Sequence, residues 1–103
     1  EAAPAREPAD ALAKQGKTLF FASGCNACHA IRGSPAVGQI GPDLTHVGGR
    51  SSIGAATLKT TRNDFARWIM DNQRIKPGNE MPSYGIFDAH QLDALADWLA
   101  GLR

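Results

Sequence analysis

Residues 30–60 set the terms for this chain. Gly33, Pro35, Gly38, Gly41, Pro42, Gly48, Gly49 and Gly54 punctuate them, and neither a helical nor a strand period runs through them. A structureless stretch of this length is unusual inside a compact domain. The chain has 103 residues, enough for one domain, and a domain so short buries only about 60–70% of its unfolded surface. The stretch makes sense if it is wrapped around a ligand that serves as its core.

Periodic segments flank it. Asp10 is placed to cap a helix whose stripe is Leu12, Gly16, Leu19, Phe20 and Ser23, and Gly24 ends it. Thr61 with Asp64 predicts a second helix that carries Phe65, Trp68 and Ile69 on one face, leaves Met70 off it and runs out near Asn72. Asp88 with Gln91 opens a third, with Leu92, Leu95, Ala96, Leu99 and Leu102 at amphipathic spacing. No alternating strand pattern is present, so the fold class is all-α. Residues 1–9 hold two prolines and no large apolar residue and read as a tether, leaving 10–103 as the domain. The chain opens at Glu1 with no visible signal peptide, which reads as a mature or excised piece.

Just before the irregular stretch stand the two cysteines, in Cys25-Asn26-Ala27-Cys28-His29. Four chemistries use cysteines this close. A disulfide over so short a loop adds little stability. A structural zinc site needs more ligands than these three residues supply. A thioredoxin-like pair needs a βαβ context. The fourth is covalent haem attachment, for which C-x-x-C-H is the signature. Two thiols add across the haem vinyl groups, and the adjacent histidine lies under the iron. Haem iron in cytochromes c takes His and Met. Met81, in the irregular loop Lys76-Pro77-Gly78-Asn79-Glu80-Met81-Pro82, is therefore the expected second ligand. Its bland alternative is gap filling in a core. His46 reads as a loop residue, and His90 as a solvated one in the first turn of a helix.

Taken together, Cys25–His29, Gly41-Pro42-Asp43-Leu44, Gly49-Arg50 and Lys76-Pro77-Gly78 with Met81-Pro82 resemble class I cytochromes c in order and spacing, from about Asp10 to Leu102. Cys28-His29-Ala30-Ile31-Arg32-Gly33, Gly41 to Gly48, Ala66-Arg67-Trp68-Ile69 and Ile75 to Asn79 look more specifically like the cytochrome c domain fused to subunit II of caa3-type cytochrome c oxidases. The resemblance implies a class I cytochrome c fold of three or more helices around one covalent haem c. It makes Cys25 and Cys28 the thioether anchors, and His29 and Met81 the axial ligands. Pro42 would present its carbonyl to the His29 ring. Arg50 would pair with a propionate. Trp68 would pack on the haem near Met81, its N–H reaching a propionate or a water. Gly16 and Phe20 would cross Leu95 and Trp98. Glu80 departs from the apolar residue expected beside the ligand.

The implied role is single-electron transfer with no bond chemistry. The donor would be a quinol-oxidising complex or a soluble cytochrome, and the acceptor the CuA domain of the oxidase. The location would be periplasmic, or the outer face of the cytoplasmic membrane, with the membrane reached only through an anchor not present here. The alternative is a free-standing periplasmic shuttle. Only four lysines (Lys14, Lys17, Lys59, Lys76) are available for electrostatic steering, which favours a tethered domain. Eleven basic against ten acidic side chains argue against nucleic acid. Docking is expected at Asn26, Ala27, the loop 31–37 and the segment 79–84.

Overall fold

The computed structural model describes residues 4, 5, 7, 8, 10–50, 53 and 61–103. Parts of the expected tether (1–3, 6, 9) and of the expected irregular stretch (51, 52, 54–60) lie outside these. The described residues form three α-helices and no strand, only an isolated bridge between Ala30 and Val37, so the fold is all-α.

Asp10 starts α1 (Ala11–Ala22), its Oδ1 accepting from Ala13 N at 2.7 Å. Gly24, at φ +81°, turns the chain into a single 3-10 turn, Cys25–Ala27. A second 3-10 turn, Val47–Gly49, lies in the irregular region. Thr61 Oγ1 accepts from Asp64 N at 3.2 Å and opens α2 (Arg62–Ile75). This helix does not run out at Asn72 as its sequence suggested. It breaks at Asp71 (φ −148°, ψ 42°) and resumes to Ile75. The reason is Asn72, which the break allows to be wholly buried, with its amide held by the following loop. Asp88 and Gln91 form a complete capping box on α3 (Ala89–Ala100), each side chain accepting from the other's backbone N–H, at 2.8 and 3.0 Å.

The core is built where α1 crosses α3. A Cβ on Gly16 would run into the Ala94 carbonyl and stand 2.9 Å from Trp98 Cβ, so only glycine permits this approach. One turn on, Phe20 meets Trp98 edge to face, with centroids 5.1 Å apart at 68°. Burying Phe20 contributes about 2–3 kcal/mol, with about 1 more from the ring geometry. α3 is apolar on two sides. Ala94 and Trp98 face α1, while Leu99 faces the interior cavity described below. Leu102 continues the pattern past the helix end and is 1% exposed.

The region from Ala30 onward is held by scattered backbone bonds rather than by a period. Ile31 N donates to Ala36 O at 3.1 Å, Leu44 N to Ala30 O at 2.8 Å and Gly48 N to Leu102 O at 2.6 Å. Ile31, Ala36, Leu44 and Val47 are buried along these closures, and Ile53 is buried too.

The Gly16 contact makes a test. Alanine there gains about 1 kcal/mol of helix propensity but must push apart two helices at their closest approach. Gly16→Ala is expected to lose about 1–3 kcal/mol net in denaturant titration of the holoprotein. Lys14→Ala, on the exposed side of the same helix, should stay within about 0.5 kcal/mol of wild type.

Candidate functional site

Helices α2 and α3, the turn after α1 and the irregular segments line a large cavity, open on one side, of about 580 Å³. Its walls are mostly apolar, from Leu44, Val47, Ile53, Phe65, Ile69 and Leu99. Cys25, Cys28 and His29 line it from the turn after α1, Trp68 from α2, Met81 and Tyr84 from the segment before α3, and Arg50 from the loop. Residues far apart in sequence thus face one space, of a size used for organic cofactors.

Cys25 and Cys28 are free thiols, and burial pushes the Cys25 thiol up, which keeps it neutral. The 3-10 turn links them, with Cys28 N and His29 N both donating to Cys25 O, at 3.2 and 3.0 Å. This turn carries both sulfurs and the imidazole on one short piece of backbone. His29 Nδ1 lies 2.8 Å from Pro42 O. A carbonyl can only accept, so Nδ1 carries the hydrogen, and in the neutral ring Nε2 keeps its lone pair for a metal. Gly41 makes room for this, since a Cβ there would come within 2.6 Å of Nδ1 and 3.0 Å of Nε2.

Trp68 Nε1 donates to Met81 Sδ at 3.2 Å. The indole and the thioether face the same cavity, and the sulfur is the acceptor within reach. Arg50 Nη2 donates to Asp43 O while its side chain lines the cavity. The Asp43 carboxyl is held below the usual carboxylate range, first by hydrogen bonds from the Thr45 hydroxyl and backbone, then by the charges of Arg32 and Arg50. Met70 is 43% exposed and outside the cavity lining. His46 and His90 are also outside it. His46 Nδ1 pairs with Arg103 O at 3.0 Å, and His90 Nε2 with Gln15 Oε1 at 2.7 Å.

Two residues that sequence reasoning passed over organise the Met81 loop. Asn72 Nδ2 donates to Pro82 O at 3.0 Å, and Asn72 Oδ1 accepts from Asn79 Nδ2 at 3.1 Å. Gln73 Nε2 donates to Asn79 O and Met81 O, both at 2.8 Å. Asn79 Oδ1 accepts from Met81 N at 2.8 Å. The available signal was a pair of adjacent amides where the apolar face of α2 gives out.

The expected docking surface needs correction. Ile31 is 1% and Ala36 3% exposed, because the Ile31–Ala36 closure turns both inward. Val37, which the expected surface included, is 76% exposed, and Ile40, which it did not include, is 71% exposed. They flank Gly38, whose Cα backs onto the Ala27–Cys28 backbone.

The cavity suits a large, flat, mostly apolar group tethered through two thiols, with a nitrogen and a sulfur ligand available. Comparison with known proteins agrees. The profile of the family described as cytochrome c matches residues 13–103. Cytochrome c oxidase subunit 2 of Alkalihalophilus pseudofirmus is 35% identical over 98% of this chain and 29% of its own length. Subunit 2 of Bacillus sp. strain PS3 is 35% identical over 91% of this chain and 27% of its own. That of Bacillus subtilis is 31% identical over 89% and 27%. The chain therefore spans less than a third of the length of these relatives. A profile match running from α1 to the last residue, with C-x-x-C-H inside it, places the chain in the cytochrome c family, the electron-transfer domains that carry covalent haem c.

Proposed function

We propose that this domain passes single electrons through a haem c ligated by His29 and Met81 to the CuA centre of a caa3-type cytochrome c oxidase. The observation that carries the ligand reading is the cavity itself. It brings a histidine ring whose Nδ1 is already engaged and a methionine sulfur to one space bordered by two free thiols. The oxidase reading rests on relatives that are cytochrome c oxidase subunit 2, matched here over one segment of their length. In this reading residues 1–9 link the domain to the rest of the subunit at the periplasmic or outer face of the membrane. The donor is a quinol-oxidising complex or a soluble cytochrome.

When bound, the haem supplies a one-electron iron couple. The chain's own contribution is to hold and insulate. Cys25 and Cys28 anchor the group. Pro42 O fixes the His29 ring. Asn72, Gln73 and Asn79 fix the backbone on both sides of Met81. Trp68 bears on the sulfur. Arg50 supplies a cation for a propionate. In this reading the domain carries electrons and does no bond chemistry of its own.

Three tests follow from this arrangement. Met81→Ala is expected to let the reduced protein bind carbon monoxide at neutral pH and to lower the reduction potential, while Met70→Ala does neither. Absorption spectra under carbon monoxide decide it.

Asn72→Leu leaves the Pro82 carbonyl and the Asn79 amide without their buried partner. It should cost about 1–3 kcal/mol in denaturant titration. It should also weaken the sulfur-to-iron charge-transfer absorption at lower denaturant than global unfolding.

The third test concerns the docking edge, where Val37 and Ile40 are apolar and exposed. Electron delivery to an isolated CuA domain should change less than about threefold between low and physiological ionic strength. Val37→Glu should slow it more than Lys14→Gln does, measured by stopped-flow mixing.

A further inference from the structure

Ahead of α1 the chain doubles back along that helix. Lys17 Nζ donates to Glu7 Oε1 at 2.8 Å, and Lys17 stands past the middle of α1. Two residues earlier, Ala5 N donates to Arg32 O at 2.9 Å, and Arg32 lies beyond both the helix and the attachment turn. Ala5 is half-buried and packs against the core. Pro4 completes the contact. A Cβ on Gly33 would stand 2.8 Å from Pro4 Cβ, so the proline covers the bare Cα of a glycine already required by its φ of +88°. Pro4 and Ala5 thus find a place on the domain without a large apolar side chain, because what they meet is backbone.

The loop that receives them is stiff and ends at the docking edge. Ile31 N donates to Ala36 O, Ser34 Oγ donates to Ile31 O at 2.8 Å and accepts from Ala36 N at 3.2 Å, and Ala30 bridges Val37. Exposed Val37 stands at the base of this loop, and Pro4 and Ala5 lie on its turn. Past Val37, Gly38 backs onto the Ala27–Cys28 backbone. A tether leaving directly from Asp10 would depart at the end of α1 remote from the cysteines. The contacts of Glu7 and Ala5 carry it along the helix instead, about 18 Å for twelve residues, to the end where the attachment turn lies.

We propose that Pro4, Ala5 and Glu7 form a strap that brings the linker out of the domain beside its docking edge, so that the domain meets its acceptor edge first. The orienting role rests on the reading of residues 1–9 as the link to the rest of the oxidase subunit. The strap itself does not. An exposed ion pair such as Glu7–Lys17 contributes little, so the hold comes mainly from the Ala5–Arg32 hydrogen bond and the seat of Pro4 on Gly33. Transfer between tethered partners depends on how often the right faces meet. A linker that exits next to the edge shortens the span it must bridge and turns the edge toward the partner without a steering field.

The strap is tested in the reduced 103-residue holoprotein by amide exchange and heteronuclear ¹⁵N relaxation. The Ala5 amide should exchange about five- to tenfold more slowly than in an unstructured peptide, and Glu7 should relax with α1. In Ala5→Pro, which removes the donor to Arg32 O, Glu7 should relax as a free tail while α1 is unchanged. Ala5→Ser keeps the N–H and should match wild type. Free-tail relaxation at Ala5 and Glu7 in wild type overturns the strap. The orienting role is tested in the full-length subunit, by flash-initiated electron transfer from haem to CuA. Ala5→Pro should slow it about three- to tenfold and Ala5→Ser should not. The rate from the same variant domain to an isolated, untethered CuA domain should not change, nor should the midpoint potential. Equal slowing in the untethered reaction, or no slowing in the full-length subunit, overturns the orienting role. A full-length product without a copper centre overturns the oxidase reading and the orienting role with it, while the relaxation result still decides the strap.

Discussion

The cavity is the constraint on which the rest depends. Left unfilled, a space of about 580 Å³ would strip packing partners from the apolar side chains that line it, a large loss against the marginal stability of a domain this size. The cofactor is therefore part of the hydrophobic core. This explains how a chain with so much irregular backbone can be compact. Leu44, Val47 and Ile53 have no helix or sheet to pack in. They pack on the walls of one space that a covalent group fills. The α1–α3 crossing, by contrast, is made by protein alone, through Gly16, Phe20, Ala94 and Trp98. The domain thus has one self-sufficient half and one that needs its ligand.

Single-electron transfer is fast when little moves between oxidation states, and the two candidate ligands are restrained by different means. His29 is fixed by covalent neighbourhood: the Cys28 anchor precedes it directly, Gly41 passes beneath its ring and Pro42 O holds its Nδ1. Met81 has no such anchor. Its loop is held by an amide network that exists because α2 breaks at Asp71 and turns Asn72 inward. Helix regularity is given up at one residue, and a buried, fully bonded side chain is gained. A satisfied buried network of this kind is rigid, and a partly satisfied one would be costly.

This division also explains what could be read from the sequence. The three helices were legible because each had a capping residue and an apolar period, as at Asp88–Gln91 and Leu92 to Leu99. The attachment motif was legible because its chemistry needs a fixed local spacing. The Asp71 break was legible only in part: Asp71 and Asn72 are poor helix formers and suggested an end near Asn72, but the resumption to Ile75 depends on bonds to a loop seven to ten residues further on. The inward turn of Ile31 and Ala36 was hidden for a similar reason. Their burial comes from a backbone closure within a segment that has no period. The contact of the Trp68 N–H with Met81 Sδ could not be read from the sequence, because the position of the sulfur is defined only by the folded loop.

The charge distribution bears on how such a domain would meet its acceptor. Of the exposed side chains nearest in sequence to the attachment turn, Ala27, Pro35, Val37 and Ile40 are apolar, and Arg32, which faces Asp43, is charged. Glu80, beside Met81, is acidic and exposed. Long-range steering toward an acidic acceptor needs a coherent positive field over the docking edge, and this edge has none. The basic groups that do cluster, Arg32, Arg50 and Arg103, are gathered around Asp43 and a separate cleft. A freely diffusing carrier with so neutral an edge would gain little from electrostatics and would rely on chance encounter. A tethered domain escapes this limit, because a linker of tens of residues or fewer supplies an effective concentration in the millimolar range. Weak, apolar contact is then sufficient and even useful, since a brief encounter lets the domain leave once the electron has passed. The neutral edge and the resemblance to one segment of a larger oxidase subunit are thus mutually consistent on physical grounds.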